Sequence, residues 1–146
     1  MAVTSRTGFN DAYQASRLNQ LTGTTYPSAP GTLYLGIYMG AVPISDGSGG
    51  TEVSPATRPS ITLGSPAYDA NNRQYITNAS AVSNITLTNS AAGEVLGFGL
   101  FAANSGGTPI YFDRFPSASY QEAAGATISI PAGAIRVYAE PPTVSG

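Results

Sequence analysis

The acidic side chains are the main candidates for catalysis in this sequence. A glycosidase needs only a pair of carboxylates that flank the scissile bond. Glu94 and Asp113 fall on or beside predicted strands, where a convergent pair is geometrically feasible. Most of the others fall in predicted loops, at strand ends or in the first turn of a helix, where acids commonly serve solubility and capping. The pattern favours a supporting role, and we expect the protein not to be an enzyme. The eight carboxylates are Asp11, Asp46, Glu52, Asp69, Glu94, Asp113, Glu122 and Glu140.

Other common catalytic side chains are missing from the sequence. The 146 residues contain no His, Cys, Lys or Trp. A serine nucleophile therefore has no His or Lys base to activate it, and no thiol or Schiff-base amine is available. The commonest ligands of transition metals, His and Cys, are absent as well. We expect no catalytic residue, no cofactor and no metal.

One glycine-rich segment, SDGSGGTE at residues 45–52, places two carboxylates among oxygen donors. Asp46 and Glu52 lie six positions apart, and a hard cation such as Ca²⁺ is bound by oxygen ligands of this kind. A calcium loop normally offers several carboxylates at alternating positions, and this segment offers two. We therefore interpret the segment as a flexible surface loop.

Nine tyrosines make up most of the aromatic content. Tyr34 and Tyr38 flank Gly36 on a predicted strand, and a face of this type suits either sugar stacking or an interface between subunits. Tyrosine brings a large contact area at low entropic cost, so the interface or the edge of the core is the favoured interpretation.

The charge content is low, at 10% of residues with a net charge of −2, where about 25% is typical. The six arginines are scattered along the chain, so we expect no nucleic-acid binding, which needs clustered basic residues. No run of 18 apolar residues exists, and we expect no membrane contact. A small chain with so few charges has weak protection against association, which indicates a component of an assembly.

The hydrophobic pattern predicts one helix and about eight short strands. The helix runs over 7–21, with Gly23 placed as a C-cap. The clearest strand is 32–40, where apolar residues alternate with tyrosines. The other strands are predicted at 59–63, 73–76, 84–88, 95–102, 109–114, 127–130 and 134–139.

Short strands separated by Gly- and Pro-rich turns predict an all-β fold, an antiparallel jelly-roll-like sandwich with one N-terminal helix or arm. We divide the chain into an N-terminal arm or helix at 1–23, a β-sandwich domain at 24–140 and a short tail at 141–146.

The order of the motifs points to a family. A helix precedes TLYLGIYMG, and a Gly-rich loop ending in TEVS leads through Thr57-Arg58 to SITL. TNASAVSNITL, GEVLGFGLFAANSGGTPIYF and ATISIPAGAIRVYAE follow in that order. This order resembles small virion proteins of tailed bacteriophages, of the head-decoration or tail-fibre-like group, over residues 18–139. The chain departs from the group at Ala92, Ala102 and Ala126, where the group has Trp, Asp and Asp.

The resemblance and the composition together imply a structural virion protein without enzymatic activity. We expect a capsid decoration (cement) protein on the outer surface of the head, assembled in the host cytoplasm. It would clamp neighbouring subunits of the major capsid protein and form a homodimer or homotrimer. Arg58 is expected to fix a loop through hydrogen bonds. The candidate partner contacts are Phe9, Tyr13, Arg17, Asp46, Glu52, Arg58, Tyr34 and Tyr38.

The alternative is a tail-associated adhesion or carbohydrate-binding module. It would use exposed tyrosines, for which Tyr34, Tyr38, Tyr111 and Tyr120 are the candidates.

Overall fold

A computed structural model describes residues 8–24, 28–44, 46–53, 55–88, 93–115, 120–122 and 125–139. These residues begin with a two-residue strand, β1 (Gly8–Phe9), followed by the helix α1 (Asp11–Gln20). The Asn10 side chain caps α1 by accepting a 2.9 Å hydrogen bond from the backbone N–H of Tyr13. The helix is shorter than the predicted 7–21, because residues 8 and 9 pair with another strand instead of extending it.

Among the described residues, ten further strands follow the helix, and each of the eight predicted strands corresponds to one of them. β1, β4 (Ala67–Tyr68) and β9 (Tyr120–Glu122) were not predicted. They span two or three residues each, which is too short to show an alternating pattern. The strands after α1 are β2 (Leu33–Met39), β3 (Ser60–Ile61), β4 (Ala67–Tyr68), β5 (Gln74–Thr77), β6 (Val82–Thr86), β7 (Gly93–Phe101), β8 (Tyr111–Arg114), β9 (Tyr120–Glu122), β10 (Thr127–Ile130) and β11 (Arg136–Tyr138).

The strands of the described residues form three antiparallel sheets. The largest has the order β1-β8-β7-β2-β3, with β9 paired to the first residues of β7. β10 pairs with β6 in a second sheet, and β11-β5-β4 form a third. The prediction of an all-β, sandwich-like fold with an N-terminal helix is confirmed.

The main core lies on one face of the large sheet. Leu35, Ile37 and Met39 of β2 belong to the same buried cluster as Ile85 of β6 and Ile130 of β10. Side chains of β7, β8 and β11 complete this cluster, so all three sheets share one core. Burial of this apolar surface is the main stabilising contribution to the fold.

The opposite face of the large sheet carries a second, smaller cluster. Tyr38 of β2 and Phe101 of β7 are buried there against Val42. A β-bulge in β7 lies at this point, since Tyr38 pairs with Gly97 and the next residue of β2, Met39, pairs with Val95. The bulge turns Leu96 toward the second cluster, and the Leu96 side chain packs against it.

The N-terminal segment is joined to the large sheet. Gly8 and Phe9 pair with Phe112 and Tyr111 of β8. Asn10 continues the connection, because its side-chain amide donates a 2.6 Å hydrogen bond to the carbonyl of Pro109. The division at residues 23 and 24 stays a prediction, and the predicted tail, 141–146, lies outside the described residues.

Candidate functional site

The site is built around Arg58 and Glu52 on the second face of the large sheet. Glu52 lies in the predicted loop, which folds back along β2 through hydrogen bonds from Met39 N–H to the Thr51 carbonyl and from Val53 N–H to the Ile37 carbonyl. Arg58 directly precedes Pro59, whose carbonyl accepts a 2.9 Å hydrogen bond from the N–H of Leu35. The edge of β2 therefore positions both charged residues.

The Arg58 guanidinium makes four side-chain hydrogen bonds. Nε and Nη2 donate to the two carboxylate oxygens of Glu52 at 2.5 and 2.8 Å. Nη1 donates to the backbone carbonyls of Ala103 and Gly106 at 3.0 and 2.8 Å. A guanidinium satisfied in this forked geometry is held in one orientation.

Arg58 is only 5% exposed, and its guanidinium carbon lies 3.5 Å from the centre of the Phe101 ring. This cation–π contact covers the face of the charge that makes no hydrogen bond. The prediction that Arg58 fixes a loop is confirmed, because its two carbonyl partners belong to the connection between β7 and β8.

Two glycines provide the space for this stack. A Cβ atom at Gly36 would lie 2.6 Å from the Phe101 ring and 2.9 Å from the Glu52 carboxylate. A Cβ at Gly99 would lie 2.9 Å from the Tyr38 ring. Neither glycine has a positive φ. Glycine is required at these positions because a side chain would clash, and not because of the backbone conformation.

Tyr38 lies beside the ion pair and is 3% exposed. Burial raises the pKa of its hydroxyl well above the usual value, and the Glu52 carboxylate raises it further, while Arg58 acts in the opposite direction. The phenol therefore stays neutral at physiological pH.

A shallow cleft of about 200 Å³ lies over the ion pair, lined by Glu52, Pro55, Ala56, Arg58, Ser105 and Gly106. The guanidinium at its floor is already committed to four protein acceptors. The arrangement is suited to holding two loops and the sheet in a fixed relation.

The structure separates the candidate contacts into three places. Glu52, Arg58 and Tyr38 meet in the site above, and Tyr34 packs against the same small cluster. The side chains of Arg58 and Tyr38 lie inside the fold. Their use as partner contacts stays a prediction.

The second place is the N-terminal helix. The rings of Phe9 and Tyr13 are stacked with centroids 6.3 Å apart, and the Arg17 guanidinium lies 5.7 Å from the Phe9 ring. Arg17 also donates a 3.1 Å hydrogen bond to the Ala139 carbonyl, which joins α1 to the residue after β11. These three residues therefore form one cluster, which Arg17 joins to the residue after β11.

Asp46 is the third place, at the exposed turn of the glycine-rich loop. Its carboxylate accepts a 2.8 Å hydrogen bond from the N–H of Ser48, and hydrogen bonding by Ser48 lowers the pKa of Asp46. Glu52 is directed toward Arg58 instead. Among the described residues, no three His, Cys, Asp or Glu side chains come together as a metal would require.

Sequence reasoning missed two buried polar residues, the helix cap Asn10 and, at 1% exposed, Asn78. The Asn78 amide donates 2.8 Å hydrogen bonds to the carbonyls of Ser80 and Pro131, and its Oδ1 accepts one from Ile135 N–H. Two of these partners are 53 and 57 positions away in sequence, so no local pattern signals the role.

Comparison with known proteins places these features in a family. A family model described as Podophage GP4 fiber I protein gp80 matches residues 8–138. No curated protein is significantly similar to the chain. The matched range runs from β1 to the last residue of β11 and includes Glu52, Arg58 and both glycines. In the part of the chain that the structure describes, no helix is long and apolar enough to cross a bilayer.

Proposed function

The chain belongs to the family of the podophage GP4 fiber I protein gp80, and from this membership we propose that it is a structural subunit of a phage fibre that associates with further copies of itself. The resemblance to small virion proteins of tailed phages is confirmed, and a structural role in the virion follows from the family. The match over residues 8–138 carries the proposal, since it covers nearly the whole chain.

The internal construction of the protein supports a structural role. The Arg58–Glu52 pair joins the edge of β2 to the connection between β7 and β8 through four hydrogen bonds. Such a network restricts relative movement of the loops it joins, which favours a fixed surface for repeated contacts.

The helix α1 supports the self-association part of the proposal. It has no buried residue, and Leu18 and Leu21 at its end are 67% and 86% exposed. Exposed apolar side chains close together mark surfaces that other molecules cover. We therefore place a contact with a second copy at this helix, as a homodimer or homotrimer.

Imaging of virions tests the location. Virions that carry the protein with a peptide tag after Gly146 are labelled with gold-conjugated antibody, and untagged virions serve as the control. We expect label at the fibres. Label distributed over the head would contradict the fibre proposal and support capsid decoration with the major capsid protein as partner.

Light scattering of the purified protein tests the self-association. We expect a mass two or three times the 14.9 kDa of the chain, and a shift toward the monomer when Leu18 and Leu21 are both replaced by Ser. Ile44→Ser, at another exposed apolar side chain, is the matched control and should leave the mass unchanged. A monomeric wild-type protein would contradict this part of the proposal.

A further inference from the structure

Three of the six arginines, scattered in sequence, meet around one cleft. Arg73 directly precedes β5, Arg114 ends β8 and Arg136 begins β11. The cleft has a volume of about 320 Å³ and lies where the large sheet meets the sheet of β11, β5 and β4. Half of the positively charged side chains of this acidic protein therefore lie around one surface cleft.

The positive charge of this cleft is only partly neutralised within the described residues. Asp69 pairs with Arg73, with its Oδ2 2.7 Å from Nη2. Asp113 is the one carboxylate among the lining residues, and both of its oxygens accept hydrogen bonds, from the Tyr111 hydroxyl at 3.2 Å and from Arg114 N–H at 2.7 Å. Across the described part of the chain, neither Arg114 nor Arg136 forms an ion pair.

Two of the guanidinium groups lie over tyrosine rings. The Arg73 guanidinium lies 4.7 Å from the centre of the Tyr138 ring, and that of Arg136 lies 5.3 Å from the centre of the Tyr75 ring. The two rings are themselves 5.7 Å apart. Because the cations are positioned before a ligand arrives, less conformational entropy is lost on binding.

The cleft also has an apolar wall. Phe98 and Phe115 line it together with Tyr138, and the centroids of the two phenylalanine rings are 5.5 Å apart. Phe115 and Tyr138 are half-buried, so part of each ring is accessible. A ligand that fits must present an anionic group to the arginines and a weakly polar face to these rings.

A second cleft of about 400 Å³ shares Arg73 with the first. Its other lining residues are Asn71, Asn72, Gln74 and Ala139. Three side-chain amides offer both donors and acceptors, as hydroxyl groups require. The neighbouring surface therefore suits a polar, uncharged continuation of the same ligand.

We propose that the cleft between Arg73, Arg114 and Arg136 binds an anionic sugar, with the acidic group on the guanidinium groups and the carbon face of the ring against Phe115 and Tyr138. A carboxylate of a uronic acid and a phosphate ester of a sugar share the geometry that an arginine fork recognises. Nucleic acid is the less suitable ligand, because three arginines on a chain of net charge −2 do not form an extended basic track. The proposal adds a ligand to the fibre role and does not depend on the location in the virion.

Titration calorimetry of the full chain with digalacturonate and with glucose 6-phosphate tests the proposal, with neutral galactobiose as the control ligand. We expect saturable binding of at least one anionic sugar with a Kd on the order of 1 mM and no binding of galactobiose. The anionic sugar that binds with the lower Kd identifies the preferred acidic group. Binding should weaken as salt is added, since the contacts are partly exposed.

Substitutions of the cleft arginines test whether the sugar binds in this cleft. Arg114 and Arg136 are exposed, so the double change Arg114→Ala/Arg136→Ala should leave the melting temperature nearly unchanged while it weakens binding by about tenfold or more. Ser83→Ala changes an exposed side chain on β6 outside the cleft and should bind as the wild type does.

Four results would overturn the proposal. The first is no saturable binding of either anionic sugar at roughly 20 mM, well above the expected Kd. The second is equal binding by the double variant. The third is binding of inorganic phosphate as tight as that of glucose 6-phosphate, which would mean a simple anion site. The fourth is a change of oligomeric mass in the double variant without a change in binding, which would make the cleft an interface between copies. Each of these results leaves the imaging test of the fibre role unaffected.

Discussion

At the scale of single residues, Arg58 makes the contacts that organise the second face of the large sheet. Taking the Arg58 guanidinium out of water is costly, and the cost is offset only when the geometry is good and the remaining donors are satisfied. Both conditions hold here, because Glu52 binds the guanidinium in a forked arrangement and two backbone carbonyls accept from Nη1.

Removal of Glu52 alone should therefore destabilise the protein more than removal of both residues, because it leaves the buried Arg58 guanidinium without a counter-charge. We expect Glu52→Ala to lower the free energy of unfolding by about 3–5 kcal/mol. Arg58→Met should cost less, because the Glu52 side chain that it leaves behind is 29% exposed and stays hydrated. The double variant should lose less than Glu52→Ala alone, and denaturant unfolding of all four proteins measures the coupling.

Arg73 and Asp69 provide the matched control, since they form the other ion pair of the described residues and the Arg73 side chain is about one-third exposed. Arg73→Ala should cost about 1 kcal/mol or less. A cost of Glu52→Ala no greater than that of Arg73→Ala would show that the ion pair at the buried Arg58 contributes no more to stability than the exposed one.

The buried hydroxyls of Tyr38 and Tyr111 predict a loss of stability in alkali. Burial raises the pKa of both above the usual value of 10.0, so above about pH 10 the unfolded chain loses these protons and the folded protein keeps them. The free energy of unfolding should be insensitive to these groups below that pH. Above it, the free energy should fall by about 1.4 kcal/mol per pH unit for each tyrosine.

Urea unfolding at several pH values between about 9 and 12 measures this slope. Tyr38→Phe should reduce the slope by the contribution of one group. An unchanged slope in Tyr38→Phe would contradict the assignment.

At the scale of elements, β2 and β7 show how far the alternation of apolar and polar residues along a strand predicts the fold. Leu35, Ile37 and Met39 were expected on one face of their strand and Tyr34 and Tyr38 on the other, and the structure places them so. Alternation cannot predict the bulge at Leu96, because a one-residue shift depends on the pairing partner.

Gly36 marks where the second face is most tightly packed. Gly36→Ala should lower the free energy of unfolding by about 1–3 kcal/mol, because the added methyl displaces the Phe101 ring or the Glu52 carboxylate. Gly31→Ala is the matched control: no atom lies within 4 Å of a Cβ there, and its φ is not positive. Equal stability of the two variants, measured by thermal unfolding, would show that the stack over Gly36 tolerates the methyl.

At the scale of the whole molecule, the N-terminal segment matters most for how the chain is divided. Phe9 packs against the main core, and its ring meets that of Tyr111 edge-on at 5.1 Å. β1 is the edge strand of the large sheet. The residues assigned to an arm thus contribute to the same core as the sandwich.

Phe9→Ala tests whether the two parts unfold together. A core phenylalanine costs about 3–5 kcal/mol on truncation, and half-buried Phe9 should cost roughly 2 kcal/mol in a single cooperative transition. Leu18→Ala, on the exposed end of α1, should cost less than about 0.5 kcal/mol. If Phe9→Ala leaves the unfolding transition unchanged, the segment is independent of the sandwich.

The sequence by itself determined the all-β class, the N-terminal helix, the position of eight strands and the phage virion family, because these depend on local periodicity, turn residues and motif order. The tertiary structure decided which distant side chains meet. It buried Arg58 against Phe101, engaged Asn78 with a loop more than 50 positions away, and gathered Arg73, Arg114 and Arg136 around one cleft. These contacts depend on strand order and register, which place residues from different strands side by side without a trace in the local pattern.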